Sequence, residues 1–262
     1  YYRGTADINR RVSDLIAFRL NAMIHRNDVP GRDVEKYKRW GVAPAVTIGI
    51  DSPTRLTVQY LHQEDRNVPQ YGVPYYGGAV PGVDRSSYYG YRNVDTQRIN
   101  VNQLTATFEH DFSDKVSIRN LARFQDVTQY SVVDPPQGTW CLPSGVTPTG
   151  GSCTVDLDTR TGATQVFNIT VPAGFYLPSG PRGNTRDTRN QLMFDQIDLK
   201  AVFNTGPIEH TIDFGGAATW EKFNLSTGNV LRAADGSNPF AFNPAAPSAN
   251  AHLPYINIAD PN

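Results

Sequence analysis

Ile16-Ala17-Phe18-Arg19-Leu20-Asn21-Ala22-Met23-Ile24-His25 is the stretch that decides the fold. Ile16, Phe18, Leu20, Ala22 and Ile24 are apolar, and Arg19, Asn21 and His25 stand between them. A period of two puts the two sets on opposite faces of a β-strand, one greasy and one polar. The same reading extends outward. Trp40, Val42, Pro44, Val46, Ile48 and Ile50 oppose Gly41, Ala43, Ala45, Thr47 and Gly49. Leu56, Val58 and Tyr60 oppose Arg55, Thr57 and Gln59. Val116, Ile118, Ala122 and Phe124 oppose Ser117, Arg119, Arg123 and Gln125. Ile197, Leu199, Ala201 and Phe203 oppose Gln196, Asp198 and Lys200, and Ile212, Phe214, Ala218 and Trp220 oppose Thr211, Asp213, Thr219 and Glu221.

Strands are expected over 1–10, 15–26, 37–50, 55–66, 97–110, 116–131, 191–204 and 208–224. Most exceed the ~9–11 residues that cross a bilayer at a tilt. Between Gln97 and His110 the pattern changes face, from Ile99 and Val101 to Leu104, Ala106 and Phe108. A bulge explains that, and so does a strand running past the membrane.

The connections separate the possible folds. Val12-Ser13-Asp14, Asp51-Ser52-Pro53-Thr54, Asp111-Phe112-Ser113-Asp114 and Thr205-Gly206-Pro207 are tight-turn sequences. The stretches 27–36, 67–96, 132–190 and 225–262 are long. Short and long connections alternate strictly, as in outer-membrane barrels with short periplasmic turns and long outer loops. Trp40, Tyr130 and Trp220 fall on the long-loop side and Phe112 and Phe203 on the short-turn side, where interfacial girdles belong. The fold class is therefore all-β, a partial antiparallel transmembrane β-barrel of about eight strands.

Composition agrees. The 262 residues carry 19% charged side chains and a net charge of -1, a balance that argues against disorder and nucleic-acid binding. There is no run of about 18 apolar residues to make a transmembrane helix, and a β-barrel needs none. The chain opens at Tyr1 without Met and ends at Asn262 in a Pro- and Asn-rich stretch, which reads as an internal piece of something larger. Cys141 and Cys153 stand in a Gly-, Pro-, Thr- and Ser-rich loop, where exposed thiols are a liability. A disulfide is the favoured reading. It would stabilise the loop by about 3 kcal/mol and require an oxidising compartment.

Several stretches resemble TonB-dependent siderophore receptors of the catecholate type. They are Asn27-Asp28-Val29-Pro30-Gly31-Arg32-Asp33, Arg39-Trp40-Gly41-Val42-Ala43-Pro44 with Pro53-Thr54-Arg55-Leu56-Thr57, and Asn67-Val68-Pro69-Gln70-Tyr71-Gly72-Val73-Pro74-Tyr75. Val83-Asp84-Arg85-Ser86-Ser87-Tyr88-Tyr89-Gly90 and Phe108-Glu109-His110-Asp111-Phe112-Ser113 complete the set. The resemblance covers most of 1–130 and returns more weakly from 191. It implies a larger barrel of about 22 strands around an N-terminal plug. It implies a ferric siderophore, of the catecholate type, as transported ligand rather than cofactor. Implied too are the TonB system as partner, through an N-terminal region outside this sequence, and outer-membrane lipid around the wall. The whole chain, 1–262, is then part of the barrel domain without plug or closing strands.

The loop 66–92 is the expected ligand-facing element, through Arg66, Tyr71, Tyr75, Tyr76, Arg85, Tyr88, Tyr89 and Arg92. A ferric catecholate complex is anionic and aromatic. Arginine supplies charge and stacking, and tyrosine a rigid amphipathic surface. No catalytic constellation and no metal site emerges. His25, His62, His110, His210 and His252 are scattered, and the Gly-rich stretch at 180–183 lacks the Lys-Ser/Thr of a phosphate loop. Two other readings remain at this stage: an eight-stranded barrel complete in itself, and a secreted soluble β-sandwich acting as adhesin or carbohydrate-binding module. Expressed alone, a barrel wall with open edges should need detergent. Size-exclusion chromatography checks this, and a monodisperse, cooperatively melting monomer in plain buffer would contradict it.

Overall fold

The computed structural model describes residues 1–158, 166–178, 185–228 and 254–261. The chain forms β1 (Tyr2–Arg11), β2 (Ile16–Asp28), β3 (Lys36–Ile48), β4 (Thr54–Asn67), β5 (Thr96–Ser113) and β6 (Val116–Val132) in succession. Four short strands follow: β7 (Gly138–Trp140), β8 (Thr154–Asp158), β9 (Val166–Thr170) and β10 (Phe175–Pro178). The long strands β11 (Thr185–Thr205) and β12 (Ile208–Gly228) come next, then β13 (Ile256–Asn257). One antiparallel sheet runs β1-β2-β3-β4-β5-β6-β11-β12. Its strands follow sequence order, with β7 to β10 lying in the connection between the sheet neighbours β6 and β11.

Register fixes the two faces. One row across the sheet reads Phe18, Val46, Val58, Ala106, Ala122, Asp195, Ala218. The adjacent row on the other face reads Ala17, Thr47, Thr57, Thr107, Leu121, Gln196, Ala217. The first face collects Ile16, Leu56, Leu104, Phe124, Met193, Ile197, Phe214 and Trp220, all exposed. Asp195 interrupts it, and Asn120 Nδ2 reaches its two carboxylate oxygens at 3.1 and 3.2 Å. The second face carries an ionic lattice. Arg19 meets Asp7 at 2.7 Å, Arg55 meets Glu109 at 3.4 Å, and Arg119 lies between Glu109 at 4.0 Å and Asp198 at 3.8 Å. These pairs are half exposed and contribute little stability individually. They show a face built for water or for polar protein.

Among the described residues no second sheet covers the apolar face. The β-sandwich reading therefore lacks its partner layer. β1 and β12 do not pair with each other, so the sheet does not close as a complete eight-stranded barrel. The buried apolar side chains lie on the long-loop side, in residues such as Tyr89, Trp140, Tyr176 and Ile258. The sheet itself has no protein core on its greasy side, and lipid is the medium that satisfies such a face.

Short and long connections alternate as the sequence predicts, at 12–15, 49–53, 114–115 and 206–207 against 29–35, 68–95 and 133–184. Gly206 has φ +61°, the left-handed first position of a two-residue hairpin turn, and Pro207 fixes the second. Gly49 has φ +84°, and a Cβ there would sit 2.0 Å from the Thr54 carbonyl oxygen. Three expectations change. β5 continues to Ser113, with a register shift between Asp111 and Ser113, so its turn is 114–115. Pairing with β4 is unbroken from Gln97 to His110, so the change of face there comes from a strand that outruns its apolar band, not from a bulge. β11 and β12 are longer than the alternation alone indicates and reach Thr185 and Gly228.

Replacing Val58, on the apolar face, by Arg should lower the unfolding free energy in lipid vesicles by about 2–4 kcal/mol if it lies near the midplane. Replacing its neighbour Gln59, on the polar face, by Arg should cost under about 1 kcal/mol. Urea titration of the refolded protein measures both.

Candidate ligand-facing loops

Above the sheet the long connections fold on one another. Trp140 stacks on Tyr176 with ring centroids 4.1 Å apart, and Tyr89 leans on Trp140 at 5.2 Å. Ile256 and Ile258 complete this core, and β13, β10 and β7 pair as a small three-stranded sheet. The tyrosine hydroxyls tie distant segments. Tyr176 donates to the Tyr89 carbonyl at 2.9 Å, Tyr89 to the Ile258 carbonyl at 3.1 Å, and Tyr91 to the Pro254 carbonyl at 2.6 Å. Cys141 and Cys153 form a disulfide with Cα atoms 5.4 Å apart, packed with Val171 and Leu177. β8 and β9 pair beside it.

Two buried polar links tie the long connections together. Arg32 and Glu35 pair at 2.6 Å with side chains 6% and 0% exposed. Arg32 also donates to the Arg85 carbonyl, binding the β2–β3 connection to the β4–β5 loop. Asp95 accepts from the Tyr88 hydroxyl at 2.5 Å and from the Asp134 amide at 2.9 Å. Gly90 makes room for this link, because a Cβ there would meet the Asp95 carboxylate at 2.2 Å. Burial pushes the Asp95 carboxyl up from 3.8 to about 6, against the lowering effect of the hydrogen bonds it accepts. Burial also raises the Tyr88, Tyr91 and Tyr176 hydroxyls, helped by the neighbouring carboxylates Asp95 and Asp134.

The sequence-predicted residues divide into three groups. Tyr71, Tyr75 and Tyr76 are exposed, as are Arg85 and Arg92. Tyr88 and Tyr89 are buried, at 3% and 1%, and form the core of the loop rather than a surface that a ligand touches. Arg66 lies at the end of β4 on the apolar-face parity, 2.6 Å from Glu64. It points away from the polar face. The Gly-rich stretch 180–183 and most of 225–262 lie outside the described residues. No group of three or more His, Cys, Asp or Glu suited to a metal occurs among the described residues. Sequence reasoning missed Arg32, Glu35, Asp95 and Asp134. Nothing in the local pattern announces that Arg32 reaches a carbonyl 53 residues away or that Asp95 meets an amide 39 residues away, and the Arg32–Glu35 pair is buried only by those distant contacts.

A lipid-facing sheet, a polar inner face and folded long loops at one end define a segment of outer-membrane β-barrel wall. No protein-family profile matches the chain. The catecholate siderophore receptor Fiu of Escherichia coli K12 is 30% identical over 237 residues, covering 84% of this chain. A probable TonB-dependent receptor, BfrD of Bordetella pertussis, is 29% identical over 222 residues, covering 82% of the chain and 26% of that protein. The crystal structure of E. coli Fiu in its open form superposes with a TM-score of 0.66 at 26% identity, over 99% of this chain and 35% of that one. The chain spans 28% of the length of Fiu. It is thus homologous to a barrel segment of the TonB-dependent siderophore receptors and is an outer-membrane sequence.

Asp95 makes loop stability depend on pH. Its folded pKa is above its unfolded one, so between 3.8 and about 6 the folded loops hold a proton that the unfolded chain has lost. Stability of the loop cluster should fall as pH rises through that window and level off above it. Amide protection at 86–95, corrected for intrinsic exchange, measures the slope. Asp95→Asn should abolish it.

Proposed function

We propose that this chain is part of the wall and outer loops of a TonB-dependent receptor that imports ferric siderophores of the catecholate class. The observation that carries the reading is the likeness to the ferric-catecholate receptor Fiu, which spans 99% of this chain with a TM-score of 0.66. Within the chain, the exposed Tyr71, Tyr75, Tyr76, Arg85 and Arg92 suit an anionic, flat-faced cargo. Tyr88 and Tyr89 contribute by holding that surface in shape. Arg66 belongs to the barrel exterior. The unpaired edges of β1 and β12 support a role for residues 1–262 within a larger barrel domain, because backbone groups in hydrocarbon need partners. The TonB system would act through regions of the receptor other than this one. The chain's part is binding and walling, not chemistry.

The test is ferric-catecholate binding by the full-length receptor in detergent, read by tryptophan fluorescence quenching. Arg85→Ala with Arg92→Ala should weaken binding at least tenfold and leave the melting temperature unchanged. Unaltered affinity in the double variant would remove the loop from the site. No binding of any ferric siderophore by the unaltered receptor would overturn the function.

A further inference from the structure

At the outer end of the sheet, four cations stand in one row. Arg26 of β2 pairs with Lys38 of β3, Lys38 with Arg66 of β4, and Arg66 with Arg98 of β5. The row is bounded by tyrosines, Tyr2 beside Arg26 and Tyr130 beside Arg98. Every member has the parity of the apolar face, since Ile24 and Trp40 lie two residues below Arg26 and Lys38 on the same side. Lys38, Arg66 and Arg98 are exposed and Arg26 is half-buried. Both flanking tyrosines are exposed as well.

Like charges directly opposite one another destabilise a sheet. Here three successive cross-strand pairs are cationic. Protein carboxylates supply little compensation. Glu64, one pleat below, pairs with Arg66 and also accepts from the Trp40 indole at 2.9 Å. Asp28 lies one pleat above Arg26, and Asp187 lies beyond Tyr130 in the same row. Among the described residues Arg26, Lys38 and Arg98 have no acidic partner within 4.0 Å. Among the described residues, Glu64 is thus the one carboxylate paired with a member of the row, and most of the row's charge is left for an external anion.

We propose that this row is a binding site for the phosphates of an outer-leaflet lipid headgroup. Three features argue for a lipid rather than a soluble anion. The row faces outward, not into the polar interior. It sits directly above the apolar band, so a molecule held there lays its acyl chains on Ile24, Leu20, Val42 and Leu104. It is flanked by Trp40, Tyr2 and Tyr130, side chains suited to the headgroup level. Four adjacent strands spread the charges over about 14 Å. That span fits a headgroup carrying more than one phosphate. Arginine offers such groups paired donors and lysine a point charge. The site is independent of the cargo proposed above.

The test uses native mass spectrometry of the full-length receptor in neutral detergent, with a bis-phosphorylated glycolipid as probe. The unaltered receptor should retain one adduct or more at activation energies that strip detergent. R26Q/K38Q/R66Q/R98Q should lower adduct occupancy at least tenfold. K38Q/R98Q changes two exposed side chains without protein partners and should lower it at least threefold, which keeps the test readable if the quadruple variant fails to fold. The dephosphorylated glycolipid should bind no better than the variants do. Millimolar inorganic phosphate should fail to displace the adduct. Equal retention by K38Q/R98Q overturns the site. Equal binding of the dephosphorylated lipid reduces it to acyl-chain contact, and displacement by free phosphate makes it a simple anion site. Either result overturns the proposal.

Discussion

Hydrocarbon offers no hydrogen bonds, and that constraint organises everything else in this chain. A backbone that crosses a bilayer must satisfy every amide and carbonyl within itself. The uninterrupted pairing from Arg186 to Ala201 against β6, and from Thr185 to Thr205 against β12, is the answer to that demand. Once the ladder is fixed, the side chains have no freedom of face. A one-residue slip would send Arg119, Arg123 and Asp198 into lipid and turn Phe124 and Ile197 to the interior. The hydrophobic pattern and the hydrogen-bond pattern therefore lock each other.

The loops obey a different rule. They sit in water, and they fold as a small soluble protein does, around buried aromatics. Trp140, Tyr176 and Tyr89 supply the area, and the disulfide and the Asp95 and Glu35 links fix the connections. A cap built this way presents Tyr71, Tyr75 and Tyr76 on a supported surface. The desolvated Asp95 carboxylate is a cost at neutral pH, offset by the ordering it gives to Tyr88 and to the start of the β6–β11 connection.

The wall was legible in the sequence because its physics is periodic and local. Ile16 to Ile24 or Leu56 to Tyr60 declare face and strand together, and Gly206-Pro207 declares its turn. Even the irregular stretch around Val101 was visible, although only pairing partners distinguish a long strand from a bulged one. The cap was not legible. Tyr88 and Tyr89 read as surface aromatics because the segments that bury Tyr89, around Trp140, Tyr176 and Ile258, lie more than 40 residues away in sequence. Arg66 read as part of a loop, yet parity counted from Leu56 places it outside the barrel, a signal available from the start. The cation row needs the register of four strands at once, which no single stretch contains.

Tyr91 and Tyr89 reach carbonyls at Pro254 and Ile258, 163 and 169 residues further along the chain. Such closures carry a consequence for how the protein diversifies. A hairpin of the wall is self-contained, so one hairpin can be lengthened or exchanged without disturbing the next. The cap has no such modularity. Transplanting the β4–β5 loop alone would strand its tyrosines without acceptors and leave Trp140 uncovered. Change in the cap is thus expected to arise by point substitutions at the exposed tip, or by inheritance of all the interlocked loops as one block.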